Sequence, residues 1–400
     1  MSDAAGAPVP LLASGDEVAR LAARLAAAPL VALDAESNGL YAYRPSLCTL
    51  QIAWQGPRGE AGVAVIDTLR APVEPLAEAL GPAGPPVVVH DLTLDVRLLR
   101  ARGVTLGNVR DTSVAARLLG RPGLGLAALV ASELGGHVDK ALQNHDWARR
   151  PLLAEHLAYL AGDVTCLLPL WHELAGQVAV AGIGAEVVEE TAYKLAEALS
   201  PRPGPPAYQR VRGFDRLDAA GRAVLRRAHL EREAIAEALG VPPFRVAPNE
   251  WLVALARARP ATEAEVRALE AARAQPAVLR QAEAWARAVR RGLEDGDPLP
   301  DASAPGKRAE DRAFLERRRA REARLRAWRR RRARERGVDE QAVLPGHCLS
   351  DVAALREATR EALAAVPGLG RGRLERDGDE LLALVREGDA DAELSARGRC

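Results

Sequence analysis

The chain has 400 residues, 48% hydrophobic and 27% charged, with a formal net charge of +1, a composition that fits a folded protein of two to four domains. No apolar run is long enough to span a bilayer, and the N-terminus lacks the basic region and apolar core of a signal peptide. Cys48, Cys166, Cys348 and Cys400 are scattered, which supports neither a disulfide framework nor a structural zinc site. A cytoplasmic protein with no membrane partner is expected, and any metal should be held by oxygen. The near-balanced charge is unevenly spread: residues 1–175 are acidic overall, whereas residues 312–336 hold thirteen Arg against three Glu. Arg outnumbers Lys throughout, as in chains from GC-rich genomes, so only clustered arginine carries weight.

Residues 16–29 have helical spacing, and "LVALDAE", "LCTLQIAW" and "GVAVIDTL" read as three strands with turns between them. "VEPLAEALG" reads as a short helix and "PPVVVHD" as a further strand. From residue 110 to 199 the pattern turns helical, with Asp111 read as a helix cap. The front of the chain is thus an α/β domain that starts with a three-stranded meander. A proline-rich linker at 200–209 leads into residues 213–288, which read as helical with one break at "GVPPFRVAPNE". A second linker, "EDGDPLPDASAPG", precedes a long arginine-rich helix, a break at "GVDEQAVLPGHCLS" and more helix. The layout repeats, so two copies of one small helical domain are expected.

Side chains two apart on a strand share a face, so Asp34 and Glu36 stand side by side. Their repulsion needs a positive partner: a metal ion, a pair of ions or a close arginine. Asp95 opens a helix just past the strand ending at His90, near the strand's carboxyl end, where open α/β sheets gather ligands. Tyr159 and Asp163, four apart, share a face of one helix. If Asp34, Glu36, Asp95 and Asp163 converge, they form an oxygen site suited to two Mg²⁺ or Mn²⁺ ions. Two such ions about 3.5 to 4 Å apart serve in-line displacement at phosphorus, with Tyr159 orienting or helping to deprotonate the attacking water. His90 reads as a strand-end core histidine in preference to a nucleotide contact. Leu315, Leu325 and Trp328 fall on one apolar helix face, and the surrounding arginines either contact phosphate or are merely solvated.

"LDAESNGLYAYRPSLCTLQIA", "VVVHDLTLDVRLL" and "YLAGD" resemble the three motifs of the DEDD exonucleases, in the subclass with tyrosine in the third motif. With "DTSVAARLLG" and "DKALQNHDWARRPLLAEHLAYLAGDV" between them, the resemblance is to the ribonuclease D family. "VPPFRVAPNEWLVALARARP" and the stretch from "RAWRRRRARERGVDEQAVLP" to "VPGLGRGRLERDGDELLALV" resemble HRDC domains. The resemblance implies an α/β ribonuclease H-like exonuclease domain at 1–203, followed by two all-α HRDC domains at 210–292 and 310–390. It places the metal ligands on Asp34, Glu36, Asp95 and Asp163 and the water-orienting tyrosine on Tyr159, with Cys48 in the core. Ala35, His145, Leu160 and Gly162 depart from the usual pattern without removing a ligand, and so bear on substrate preference.

The expected function is metal-dependent 3′→5′ exoribonuclease activity releasing 5′-mononucleotides. The implied partners are tRNA precursors and other small structured RNAs, held in part by the HRDC domains, and a monomer is expected. The alternatives are a 3′→5′ DNA exonuclease, a nucleic-acid-binding protein with a degenerate nuclease domain, and a protein scaffold built on the helical repeats.

Overall fold

The computed structural model describes residues 8–200, 204–273, 275–296 and 305–397, and side chains within these except at 273, 305–313 and 391–397. Most of the second linker, residues 297–304, and the ends of the first expected domain, 1–7 and 201–203, lie outside it, as does Cys400. The chain divides into two compact units. One combines Met1–Glu36, Leu47–Pro201 and Pro305–Cys400; the other combines Ser37–Ser46 with Arg202–Ala304.

The first unit holds a six-stranded sheet of β1 (Leu11–Leu12), β2 (Leu30–Ser37), β3 (Leu47–Gln55), β4 (Ala61–Asp67), β5 (Val87–Val89) and β6 (Val109–Asp111). Their order, β1-β4-β3-β2-β5-β6, sets β2, β3 and β4 side by side, as a meander requires. β3 runs antiparallel to β4, whereas β2, β5 and β6 pair in parallel. All of β3 but its last residue is buried, its polar Thr49 and Gln51 included, which bond each other at 2.6 Å. Around the sheet run α1 (Gly15–Leu25), α2 (Thr93–Arg100), α3 (Thr112–Leu118), α4 (Leu126–Leu134), α5 (Ala154–Thr165), α6 (Leu167–Val180) and α7 (Gly184–Leu199). α1 buries Val18, Leu21, Ala22 and Leu25, a stripe at helical spacing. Residues 73–81, expected as a short helix, hold only a 3₁₀ turn at Glu74–Leu76 with Pro75 inside it. Strands β1 and β6 are too short for alternation to mark them.

The second unit is the first helical module. It contains α8 (Ala219–Leu239), α9 (Pro243–Val246), α10 (Asn249–Ala258), α11 (Glu263–Ala268), α12 (Glu270–Arg273), α13 (Pro276–Arg280) and α14 (Ala282–Asp295). The expected break at 240–250 thus contains a helical turn, and residues 259–281 are further broken into short helices. Trp251 and Trp285 sit edge to face in its core. The loop Ser37–Ser46 belongs here: Tyr43 N donates to Gly240 O at 3.2 Å, and the Arg245 guanidinium lies 4.8 Å over the Tyr41 ring.

The second module, within the first unit, comprises α15 (Pro305–Arg336), α16 (Glu340–Val343), α17 (Gly346–Ala353), α18 (Arg360–Ala364) and α19 (Arg371–Arg397). Leu325 and Trp328 are buried as expected, but Leu315 is exposed. The two modules share a construction. Arg232 donates to the Ala247 carbonyl at 3.3 Å and Arg329 to that of Leu344 at 3.1 Å, each tying the long first helix to the break. Each last helix approaches the first through a glycine: a Cβ on Gly292 would lie 2.6 Å from Val224 Cα, and one on Gly388 would lie 2.8 Å from Arg321 Cα.

Helix α7 anchors the second module. Buried Glu186 accepts from Arg336 at 2.9 Å and Arg376 at 2.8 Å, and Glu189 accepts from Gly372 N at 3.0 Å. The Tyr193 and His347 rings stack at 3.8 Å. Among the described residues no helix is long and apolar enough to cross a membrane.

Candidate active site

Asp34 and Glu36 project from one face of β2, as the two-residue period requires. Asp163 joins them from α5, a helix packed against β3 and β4. One carboxylate oxygen from each of the three lies within 4.8 Å of the others. Asp95, on the first turn of α2, is outside this trio yet close enough for its charge to act with those of Asp34 and Glu36. It gets there because β5 pairs in parallel with β2, so the helix after β5 starts at the same end of the sheet.

Burial and mutual repulsion govern the electrostatics of this group. Burial pushes Asp34 up to about 6, and burial with the charges of Asp34 and Asp163 pushes Glu36 up to about 8. Burial and Asp34 raise Asp163 to about 7. Asp95 is held well above the ordinary carboxylate range by burial and by Asp34, Glu36, Asp111 and Asp91. The charges raising these carboxylates are other carboxylates, so of the positive partners weighed above a close arginine finds no support. An all-oxygen set crowded in this way fits hard divalent cations.

Tyr159 donates a hydrogen bond to Asp163, one turn along α5. Burial and the carboxylate charges raise its phenol far above the ordinary range, so it remains protonated. Its ring lies 5.8 Å from that of Trp147, which is almost fully buried. Trp147 is in turn fixed by Arg150, which donates to its carbonyl at 2.7 Å, to the Cys48 carbonyl at 2.9 Å and to both oxygens of buried Asp67 at 2.7 and 2.8 Å. His145, where the sequence departs from the usual pattern, packs its ring 4.5 Å from that of His156 and so is a packing residue here. His90 bonds the Thr112 hydroxyl through Nδ1 at 2.8 Å, at the edge of the core.

Asp111 does more than the helix cap the sequence suggests. It caps α3 through Ser113 N at 2.8 Å and Val114 N at 3.3 Å. It also accepts from Asp91 N and Leu92 N, at the entry to α2, and from Lys194 of α7. Trp147 and Arg150 lie in the stretch that carries the family resemblance but are not read as site residues there; Asp91 and Lys194 carry no local signal, since their contact spans 103 residues.

Residues 12–179 match the 3′-5′ exonuclease family, and residues 221–289 and 318–385 each match the HRDC domain. The chain is 34% identical over 263 residues to a ribonuclease D of Acidiphilium cryptum, a match covering 64% of each chain. It is 28% identical over 320 residues to one of Nitrobacter hamburgensis, covering 76% of this chain and 80% of that one. The match to the ribonuclease D of Granulibacter bethesdensis spans only 63% of that relative's length. Among solved structures, Escherichia coli RNase D superposes with a TM-score of 0.67 over 95% of this chain and 99% of that one at 22% identity, which establishes a shared fold. The chain thus joins a segment that matches the 3′-5′ exonuclease family to two that match the HRDC domain, and it is similar in sequence to ribonuclease D and shares the fold of a solved one.

Proposed function

We propose that the protein is a metal-dependent 3′→5′ exoribonuclease that trims the 3′ ends of tRNA precursors and other small structured RNAs to 5′-mononucleotides. The observation that carries this is the trio Asp34, Glu36 and Asp163, whose crowded charges meet no basic side chain among the described residues, within a stretch that matches the 3′-5′ exonuclease family. We assign the working units to residues 1–203, 210–292 and 310–390, and the protein acts as a cytoplasmic monomer.

Asp34, Glu36, Asp95 and Asp163 would hold two divalent ions, Mg²⁺ or Mn²⁺. When bound, such ions supply Lewis-acid charge to the scissile phosphate and lower the pKa of the attacking water. The chain's own work is to collect four carboxylates from three elements and hold them oriented; burial and mutual repulsion raise them, so the charge that would keep them ionised is that of the ions. Tyr159, whose phenol stays protonated and donates to Asp163, orients the water through its hydroxyl oxygen and does not act as the base. Trp147 and Arg150 keep its ring in place. The RNA is held away from the site by exposed arginines of α15. Arg319, Arg330 and Arg334 lie on one face of that helix, and among the described residues no ion pair is found for them.

The test is a time course on a tRNA precursor with a 3′ extension, beside a DNA strand of the same sequence, in Mg²⁺ and in EDTA. Stepwise shortening of the RNA from its 3′ end, with mononucleotide product and only in Mg²⁺, is expected. Shortening of the DNA alone would replace the substrate class. Binding with no change in length would leave a nucleic-acid-binding protein.

A further inference from the structure

Asp95 rides on a helix whose entry is built in an unusual way. The N-cap of α2, Leu92, offers no side-chain cap, and Asp91 before it has a left-handed backbone with φ of 59°. The turn is held from outside: Asp91 N and Leu92 N donate to Asp111 Oδ1 and Oδ2 at 3.1 and 3.2 Å. Asp111 is fully buried, and among the described residues its one cationic partner is Lys194, whose ammonium lies 3.2 Å from it and 3.2 Å from Asp91 Oδ1. The helix carrying Lys194 is tied to α2 a second time, through a bond from Arg97 to the Ala198 carbonyl at 3.4 Å. It is fixed on its other side by the second module's arginines on Glu186.

We propose that Lys194 is a positioning residue of the nuclease site: by bridging Asp111 and Asp91 it locks the turn that aims Asp95 at the Asp34–Glu36 pair. The proposal rests on reading Asp95 as a metal ligand. Its geometric content is that a buried carboxylate organising two helix starts keeps its place only while its counter-charge is present. Without Lys194, Asp111 and Asp91 repel each other beside a carboxylate already crowded by Asp34 and Glu36, and the Asp91–Leu92 turn swings away.

Two physical effects of removing Lys194 have opposite signs, which makes the test sharp. Losing a positive charge near acidic ligands would by itself tighten cation binding, whereas losing the alignment of Asp95 weakens it. The experiment is a calorimetric Mn²⁺ titration of the full chain as wild type, Lys194→Met and Lys194→Arg, with kcat and KM on a 3′-extended RNA measured alongside. Lys194→Met is expected to bind Mn²⁺ about tenfold more weakly and to lose kcat at unchanged KM, with Lys194→Arg restoring both. Lys194→Gln serves in its place if the Met variant fails to fold. Unchanged or tighter Mn²⁺ binding, even with a lowered melting temperature, would overturn the proposal. Failure of the wild type to bind Mn²⁺ would instead overturn the metal reading of the site.

Discussion

The carboxyl end of the sheet and helix α15 both concentrate charge of one sign, but they resolve it in opposite ways. At the sheet, Asp34, Glu36 and Asp163 repel one another, and the charges that act on them are more carboxylates. Along α15, most arginines have carboxylate partners: Arg321 with Asp389, Arg324 with Glu387, Arg329 with Glu340, Arg332 with Asp377 and Arg336 with Glu186. The first cluster is costly until something binds, whereas the second is largely spent on folding the module and docking it. Charge density in a sequence therefore marks function only where the fold leaves the charge uncompensated.

The largest effect should come from breaking the uncompensated cluster. Asp34→Asn removes a ligand and is expected to lower the rate of 3′ trimming roughly a thousandfold, the equivalent of several kcal/mol of charge stabilisation, read by single-turnover kinetics. Tyr159→Phe keeps the ring on Trp147 and removes only the hydroxyl. A loss of about a hundredfold in kcat is expected, with KM little changed. On α15 and its partners the comparison sharpens into two outcomes. Arg373, buried with bonds to the carbonyls of Ala342 and Leu369 at 3.2 Å, should cost about 3 kcal/mol or more of stability as Arg373→Ala, measured by denaturant melts, with RNA affinity per folded molecule unchanged. Replacing Arg319, Arg330 and Arg334 together by Gln should leave stability within about 0.5 kcal/mol. It should lower the slope of log affinity against log salt by about 2 on single-stranded RNA.

Much of this site can be read from the chain because its spacings are local. Asp34 and Glu36 are two apart on a strand and Tyr159 and Asp163 four apart on a helix, so period alone puts each pair on one face. Asp95 needed the strand before it to be recognised as a neighbour of β2, and that depends on sheet order. The short strands β1 and β6 escape the pattern because two or three residues hold no alternation, and residues 73–81 close only as a 3₁₀ turn, although Pro75 stands at a first-turn position that a helix tolerates. Lys194 stands 83 residues from Asp111, and no local pattern connects them. The pairing of α15 was hidden for the same reason, since Asp377, Glu387 and Asp389 lie a module's length away. Leu315 stands ten residues before Leu325 and thirteen before Trp328, about 80° and 140° round an ideal helix, so it turns off the buried stripe and is exposed.

The most direct measurement is thermal melting of the wild type and Asp34→Asn at pH 5 and pH 8.5, each with EDTA and with Mn²⁺. The raised carboxylates, at about 6, 7 and 8 for Asp34, Asp163 and Glu36, mean that the metal-free folded chain holds protons more tightly than the unfolded chain. Their contribution to stability is complete below the unfolded values near 4 and is lost as pH rises through the folded ones. In EDTA the wild type should therefore melt lower at pH 8.5 than at pH 5 by more than the variant does. Mn²⁺ should raise its melting temperature by several degrees at pH 8.5 and hardly at pH 5, an effect largely lost in Asp34→Asn. A wild type whose melting is the same with and without Mn²⁺ at pH 8.5 would contradict the claim that these carboxylates await a metal.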